Sequence, residues 1–149
     1  MTTHQTEPTA LAALPYGVEI PFVKLLGFEL ALFEGGQSVL TFTPKPDHLN
    51  SYGVAHGGAV MTLLDVTMAV ASRSVAKDMG VVTIEMKTSF MRPTRGLVTA
   101  RGQLMHRTAT MAFVTSTVYD AKGAATAHAT GTFKYVLRAD KKDAPVSTD

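Results

Sequence analysis

Not one cysteine occurs in the 149 residues, so disulfides and thiolate metal sites are excluded, and a reducing compartment suits the chain. Excess charge is missing too. Fourteen Lys and Arg stand against twelve Asp and Glu, a net charge of +2 with no basic stripe of the kind nucleic acid requires, and no nucleic-acid partner is expected. The run Ala59 to Ala71, AVMTLLDVTMAVA, would rise only about 20 Å as a helix, short of the roughly 20 apolar residues a bilayer needs, so no membrane span is expected. The opening MTTHQTEPTA has neither a basic nor an apolar leader region, and the expected location is the cytoplasm. His4, His48, His106 and His128 are scattered without ligand spacing, so no metal site is expected.

What is present suffices for one domain with a sizeable core, since 46% of the residues are hydrophobic. Residues 1–15 and 139–149 are polar or turn-forming and are expected to be flexible, with a folded domain at 16–138. A short helix is predicted over Ile20–Leu26, then a hairpin of Phe28–Phe33 and Gln37–Thr43 turning at Glu34-Gly35-Gly36. Pro44–Ala55 reads as a loop. The helix entered at His56 has apolar residues on every side and is expected to be buried all round, fading by Lys77. Beyond Gly80 the period becomes two, with Ile84, Met86, Thr88 and Phe90 on one face and Thr83, Glu85, Lys87 and Ser89 on the other, which predicts a half-buried strand. Leu97–His106, Met111–Tyr119 and Ala125–Leu137 complete a predicted meander of four long strands. The implied class is α+β, an antiparallel sheet curled around one helix.

Chemistry concentrates in Asn50-Ser51-Tyr52-Gly53-Val54-Ala55-His56-Gly57-Gly58 and in Asp65. A helix start supplies free N–H groups and partial positive charge, and glycine admits a close ligand, so Gly57 and Gly58 suit an oxyanion. A carboxylate in apolar surroundings costs several kcal/mol unless paired or hydrogen-bonded, which marks Asp65 as a candidate base or nucleophile. Structural alternatives stand beside each: Asp65 satisfied by Thr62 or Thr83, His56 as a helix cap, Asn50 as a turn residue, and Thr83 as an ordinary strand threonine. Arg92, Arg95 and Arg107, at strand ends or turns, are candidates for phosphate contacts or plain solvated arginines. Met61, Met68 and Met86 are core filler or the lining of an adaptable apolar pocket.

The pattern N-x-x-G-x-x-H-G-G-x(6)-D, formed by Asn50, Gly53, His56, Gly57, Gly58 and Asp65, resembles the hotdog-fold acyl-CoA thioesterases of the PaaI (phenylacetic acid degradation) type. Val82-Thr83-Ile84-Glu85-Met86 and Phe90-Met91-Arg92-Pro93 look like that family's strand after the helix, and the likeness runs from about Leu25 to Leu137. It implies a hotdog fold and hydrolysis of an acyl-CoA to a carboxylic acid and free coenzyme A, with no cofactor beyond the coenzyme A of the substrate. It implies that Gly57 is the oxyanion donor, Asp65 the base or nucleophile, Thr83 an orienting group, and Asn50 and His56 the shapers of the thioester end. Gly58, Arg92, Arg95 and Arg107 are then the candidate coenzyme contacts. Related subfamilies carry Glu on the helix, a carbon longer than Asp65. The alternative function is a non-catalytic acyl-CoA-binding module.

Helix geometry adds one expectation. His56 and Asp65 are nine residues apart, about two and a half turns and roughly 13 Å of rise, so they point to opposite sides. A shared site would then need two chains, which agrees with the homodimers and homotetramers the resemblance implies.

Overall fold

The computed structural model describes residues 13–138, so the expected flexible segments lie mostly outside it. Leu14, inside the first of them, already donates its N–H to Leu30 O at 2.8 Å. The elements are α1 (Pro21–Leu26), β1 (Glu29–Glu34), β2 (Gln37–Phe42), a 3₁₀ turn (Pro46–His48), α2 (Gly57–Arg73), β3 (Met79–Phe90), β4 (Val98–Arg107), β5 (Met111–Tyr119) and β6 (Ala125–Leu137).

All six strands form one antiparallel sheet in the order β1-β2-β4-β5-β6-β3. This corrects the predicted four-strand meander. β3 does not turn back on β4; it pairs with β6 along Met79↔Leu137 to Phe90↔Ala127 and lies at the sheet's edge. β4 pairs instead with β2 and β5. The Arg92–Gly96 segment is therefore a crossover, not a hairpin turn, and no local pattern distinguishes the two.

α2 lies across the concave face and buries Val60, Leu63, Leu64, Thr67, Met68, Val70 and Ala71 against Leu40, Val98, Ala100, Val114, Val118 and Phe133. Buried hydroxyls of the sheet donate to α2 carbonyls, using the second lone pair of each: Ser38 Oγ to Thr67 O at 2.6 Å, Ser116 Oγ to Leu64 O at 3.0 Å, and the Tyr135 hydroxyl to Ser72 O at 2.8 Å. Such close approach needs a gap in the sheet. Gly102 provides it, because a Cβ there would stand 2.7 Å from Thr67 O and collide with Ser38 Oγ.

Burial of α2 on all sides does not hold. Gly58, Met61, Thr62, Asp65, Val66 and Ala69 stay partly or fully exposed along one stripe, the side the single sheet does not reach. β3 differs from expectation as well: it is largely exposed, with Val82 at 46% and Ile84 at 54%. Its alternation breaks at Ile84, where Thr83 pairs with Phe133 and Glu85 with Thr132, so one residue is left over. This bulge lets Thr83 face the helix together with Met86, Thr88 and Phe90, although strict alternation separates them.

Candidate active site

Two local arrangements meet the inner edge of β3. The first is built on the middle of α2. Asp65 is half-buried there, and the Thr83 hydroxyl donates to its Oδ1 at 2.7 Å. Burial pushes the Asp65 carboxyl above the usual carboxylate range, and the Thr83 hydrogen bond pulls it partly back. The expected partner is therefore Thr83 and not Thr62, whose hydroxyl donates to Gly58 O at 2.7 Å.

The second arrangement is the start of α2. His56 is the N-cap, and its Nδ1 accepts from Gly58 N–H at 2.8 Å. The Gly58 amide is thus already used, which corrects its expected place among the ligand donors. Gly57 keeps the role: at the first helical position its N–H has no hydrogen-bond acceptor among the described residues. It opens on a cavity of about 350 Å³ lined by Asn50, Val60, Phe90, Arg92 and Thr94.

Asn50 serves the loop and the cavity at once. Its Oδ1 accepts from Tyr52 N–H at 2.9 Å and Val54 N–H at 3.3 Å, which fixes the amide and leaves Nδ2–H free among the described residues. Gly53 takes φ 74° to close this turn, a conformation glycine adopts without a Cβ penalty. The sequence therefore folds here into a small cage that presents two N–H donors, from Gly57 and Asn50, to one space.

The arginines separate. Arg92 lines the Gly57 cavity while its Nη1 donates to Ala125 O at 2.9 Å. Arg95 is exposed in the same crossover. Arg107 is elsewhere: it donates to Val75 O at 3.2 Å beyond the C-terminal end of α2 and stacks 4.6 Å from the Tyr135 ring. Among the described residues no cluster of three His, Cys, Asp or Glu could hold a metal ion, and no helix is long and apolar enough to cross a membrane.

One residue escaped the sequence reading. Thr88 faces inward between Thr83 and Phe90, and its buried hydroxyl has no partner. The signal was there, a hydroxyl on the inward face of an apolar strand.

Within one chain the Gly57 donor and the Asp65 carboxylate remain apart, since eight residues of helix rise about 12 Å. Each is half of a site. A preorganised N–H donor and a carboxylate with raised proton affinity are what acyl transfer to water requires, one for the oxyanion and one for the nucleophile.

Comparisons with known proteins agree with this chemistry. The model of the thioesterase superfamily matches residues 52–127. A protein of Saccharolobus solfataricus named for an inferred esterase activity is 32% identical over 116 residues, covering 77% of this chain and 82% of the relative. Among solved structures, a conserved protein of Pseudomonas aeruginosa superposes with a TM-score of 0.77 at 26% identity, over 80% of this chain and 97% of that one. A mutant of the phenylacetic acid degradation protein PaaI of Thermus thermophilus superposes with a TM-score of 0.71 at 27% identity, over 77% and 98%.

Proposed function

Because this chain belongs to the thioesterase superfamily and carries its hotdog fold, we propose that the thioester it hydrolyses is an acyl-CoA, giving a carboxylic acid and free coenzyme A in a site shared by two copies. The observation that carries this reading is the Asp65–Thr83 pair at 2.7 Å, with its raised carboxyl, on the same helix as the unused Gly57 amide.

Asp65 acts as general base toward water or as nucleophile toward the carbonyl, and Thr83 orients its carboxylate. Gly57 N–H, joined by Asn50 Nδ2–H, stabilises the oxyanion; removal of one such donor typically costs on the order of 100- to 1,000-fold in turnover. His56 is a positioning residue that holds the first turn of α2 open. Arg92 and Arg95 lie where the diphosphate of the coenzyme would leave the cavity. Arg107 meets the coenzyme only if a second copy brings its site close. No cofactor beyond the substrate's coenzyme A enters this scheme.

The two halves join through β3. It is an edge strand of twelve residues that exposes Val82, Ile84 and Phe90, with a ladder unpaired on one side. Pairing of two β3 edges about a twofold axis sets the open stripes of the two α2 helices beside each other, antiparallel, with Asp65 of one chain facing Gly57 of the other. Burying the stripe also explains why it is apolar apart from Thr62 and Asp65.

Release of free thiol from a panel of acyl-CoAs tests the reading. Turnover of at least one member, lost in Asp65→Asn, supports it. A chain that binds acyl-CoA and hydrolyses none overturns it.

A further inference from the structure

Behind the N-cap, on the side of α2 away from Arg92, lies a separate cavity of about 240 Å³ lined by Phe22, Leu26, Leu49 and Ala59, with Asp47, His48 and His56 as its polar members. At about 30 Å³ per water it holds roughly eight waters' worth of volume, room for a ring or a short chain and not for a long acyl tail.

Its two imidazoles are oriented in the same sense. His48 Nδ1 accepts from Lys45 N–H at 3.0 Å, and its ring leans on Phe42 with centroids 5.4 Å apart. His56 Nδ1 accepts from Gly58 N–H at 2.8 Å. A ring whose Nδ1 accepts carries its proton on Nε2, so each ring offers a ligand an N–H donor. Thr62, the remaining hydroxyl at this wall, is engaged with Gly58 O. What is left is two fixed donors, one carboxylate acceptor from Asp47, and apolar walls.

A neutral hydroxyl matches that set, because it accepts from imidazole N–H and donates to a carboxylate. A ligand carboxylate would meet the Asp47 charge, and a bare hydrocarbon would leave the donors unpaired. We propose that this cavity selects acyl groups carrying a hydroxyl, with His48 and Asp47 as specificity-determining residues. The proposal rests on the acyl-CoA thioesterase reading above and adds the class of acyl group.

The test compares hexanoyl-CoA with its hydroxylated derivatives, the hydroxyl moved one carbon at a time. One of them is expected to exceed hexanoyl-CoA in kcat/KM by about three- to tenfold, the worth of one neutral hydrogen bond. In His48→Phe, which keeps a ring against Phe42, that advantage disappears while hexanoyl-CoA itself changes by less than about twofold. Asp47→Ala, on the exposed rim, is expected to shrink the advantage as well, and thermal melts of both variants report whether the fold is intact. Absence of any favoured derivative overturns the proposal alone, as does an equal fall for both substrates in His48→Phe. A chain that hydrolyses no acyl-CoA overturns it together with the reading beneath it.

Discussion

Thr83 on β3 and Asp65 on α2, 18 residues apart in sequence, meet in a 2.7 Å hydrogen bond in which the hydroxyl donates and the carboxylate accepts. The bond joins the sheet's free edge to the exposed stripe of the helix. It lies where a second chain would bring a carbonyl.

Replacing Asp65 by Asn keeps the volume and still lets Thr83 donate to Oδ1, but removes the base or nucleophile. Turnover is expected to fall at least about 100-fold, in the range of acid–base groups, with acyl-CoA binding largely kept. Thr83→Ala removes an orienting bond and should cost less. Steady-state kinetics with a matched binding measurement check both; a Thr83→Ala loss equal to that of Asp65→Asn would exchange their roles.

The pH dependence follows from the direction of the shift. Burial raises the Asp65 carboxyl and the Thr83 bond lowers it, so the acid limb of kcat/KM should lie above the ordinary carboxylate value of about 4. Thr83→Val removes the lowering contribution and should move that limb to higher pH. For stability, the folded chain holds the Asp65 proton more tightly than the unfolded chain. This contribution is fully present below the unfolded pKa and declines as pH rises through the folded one. Asp65→Asn removes the decline, so at neutral pH its Tm should rise by about 1–4 °C over the parent. A Tm that falls at neutral pH would show that the ionised carboxylate stabilises the fold.

Element types were legible because each is a local property: the period changes from helical to alternating after Gly80, and glycine or proline marks most turns. The partner of β3 was not. Pairing with β6, instead of with its successor β4, depends on where the sheet curls around α2, a long-range matter. The bulge at Ile84 was equally hidden, since alternation read straight through it assigns Thr83 to the wrong face. For the site, Asp65 and Gly57 were found by residue type and spacing. The loss of the Gly58 amide to His56 Nδ1 is a matter of ring orientation that spacing cannot fix.

Gly102 tests how closely the sheet and helix must approach. An added methyl meets Ser38 Oγ and the backbone of Thr67, neither of which is the yielding end of a long side chain, and it would break the Ser38–Thr67 hydrogen bond. Gly102→Ala is expected to cost about 1–3 kcal/mol, visible as a lowered Tm, with no specific effect on the chemical step of the molecules that remain folded. An unchanged Tm would mean that α2 moves away from β4 without loss.

At Gly57 the expectation reverses. A Cβ there would lie 3.5 Å from Phe90 Cζ, ordinary contact, and alanine favours a helix over glycine by about 1 kcal/mol. Gly57→Ala should therefore keep or slightly raise Tm while its methyl crowds the amide that meets the oxyanion. Turnover is expected to drop by about 10-fold or more, part of what loss of a whole donor costs. Full activity in a well-folded Gly57→Ala chain would remove this amide from the mechanism.

The two-chain site gives the strictest test. Gly57 and Asp65 are separated by about 12 Å of rise on one rigid helix, too far for both to reach one carbonyl, whereas antiparallel α2 helices set each opposite the other's counterpart. A dimer of Asp65→Asn chains has no carboxylate in either site, and a dimer of Gly57→Val chains has a blocked donor in both. When the two variants are unfolded together and refolded as a mixture, half of the dimers at random pairing are mixed. Each mixed dimer holds one site with both lesions and one site with none. Activity should return to about a quarter of the parent level, since half of the dimers each carry one intact site of two. Affinity tags of two kinds, one on each variant, isolate the mixed dimer for assay. A purified mixed dimer that stays inactive, or a monomer with full activity, would place the whole site within a single chain and overturn the shared arrangement.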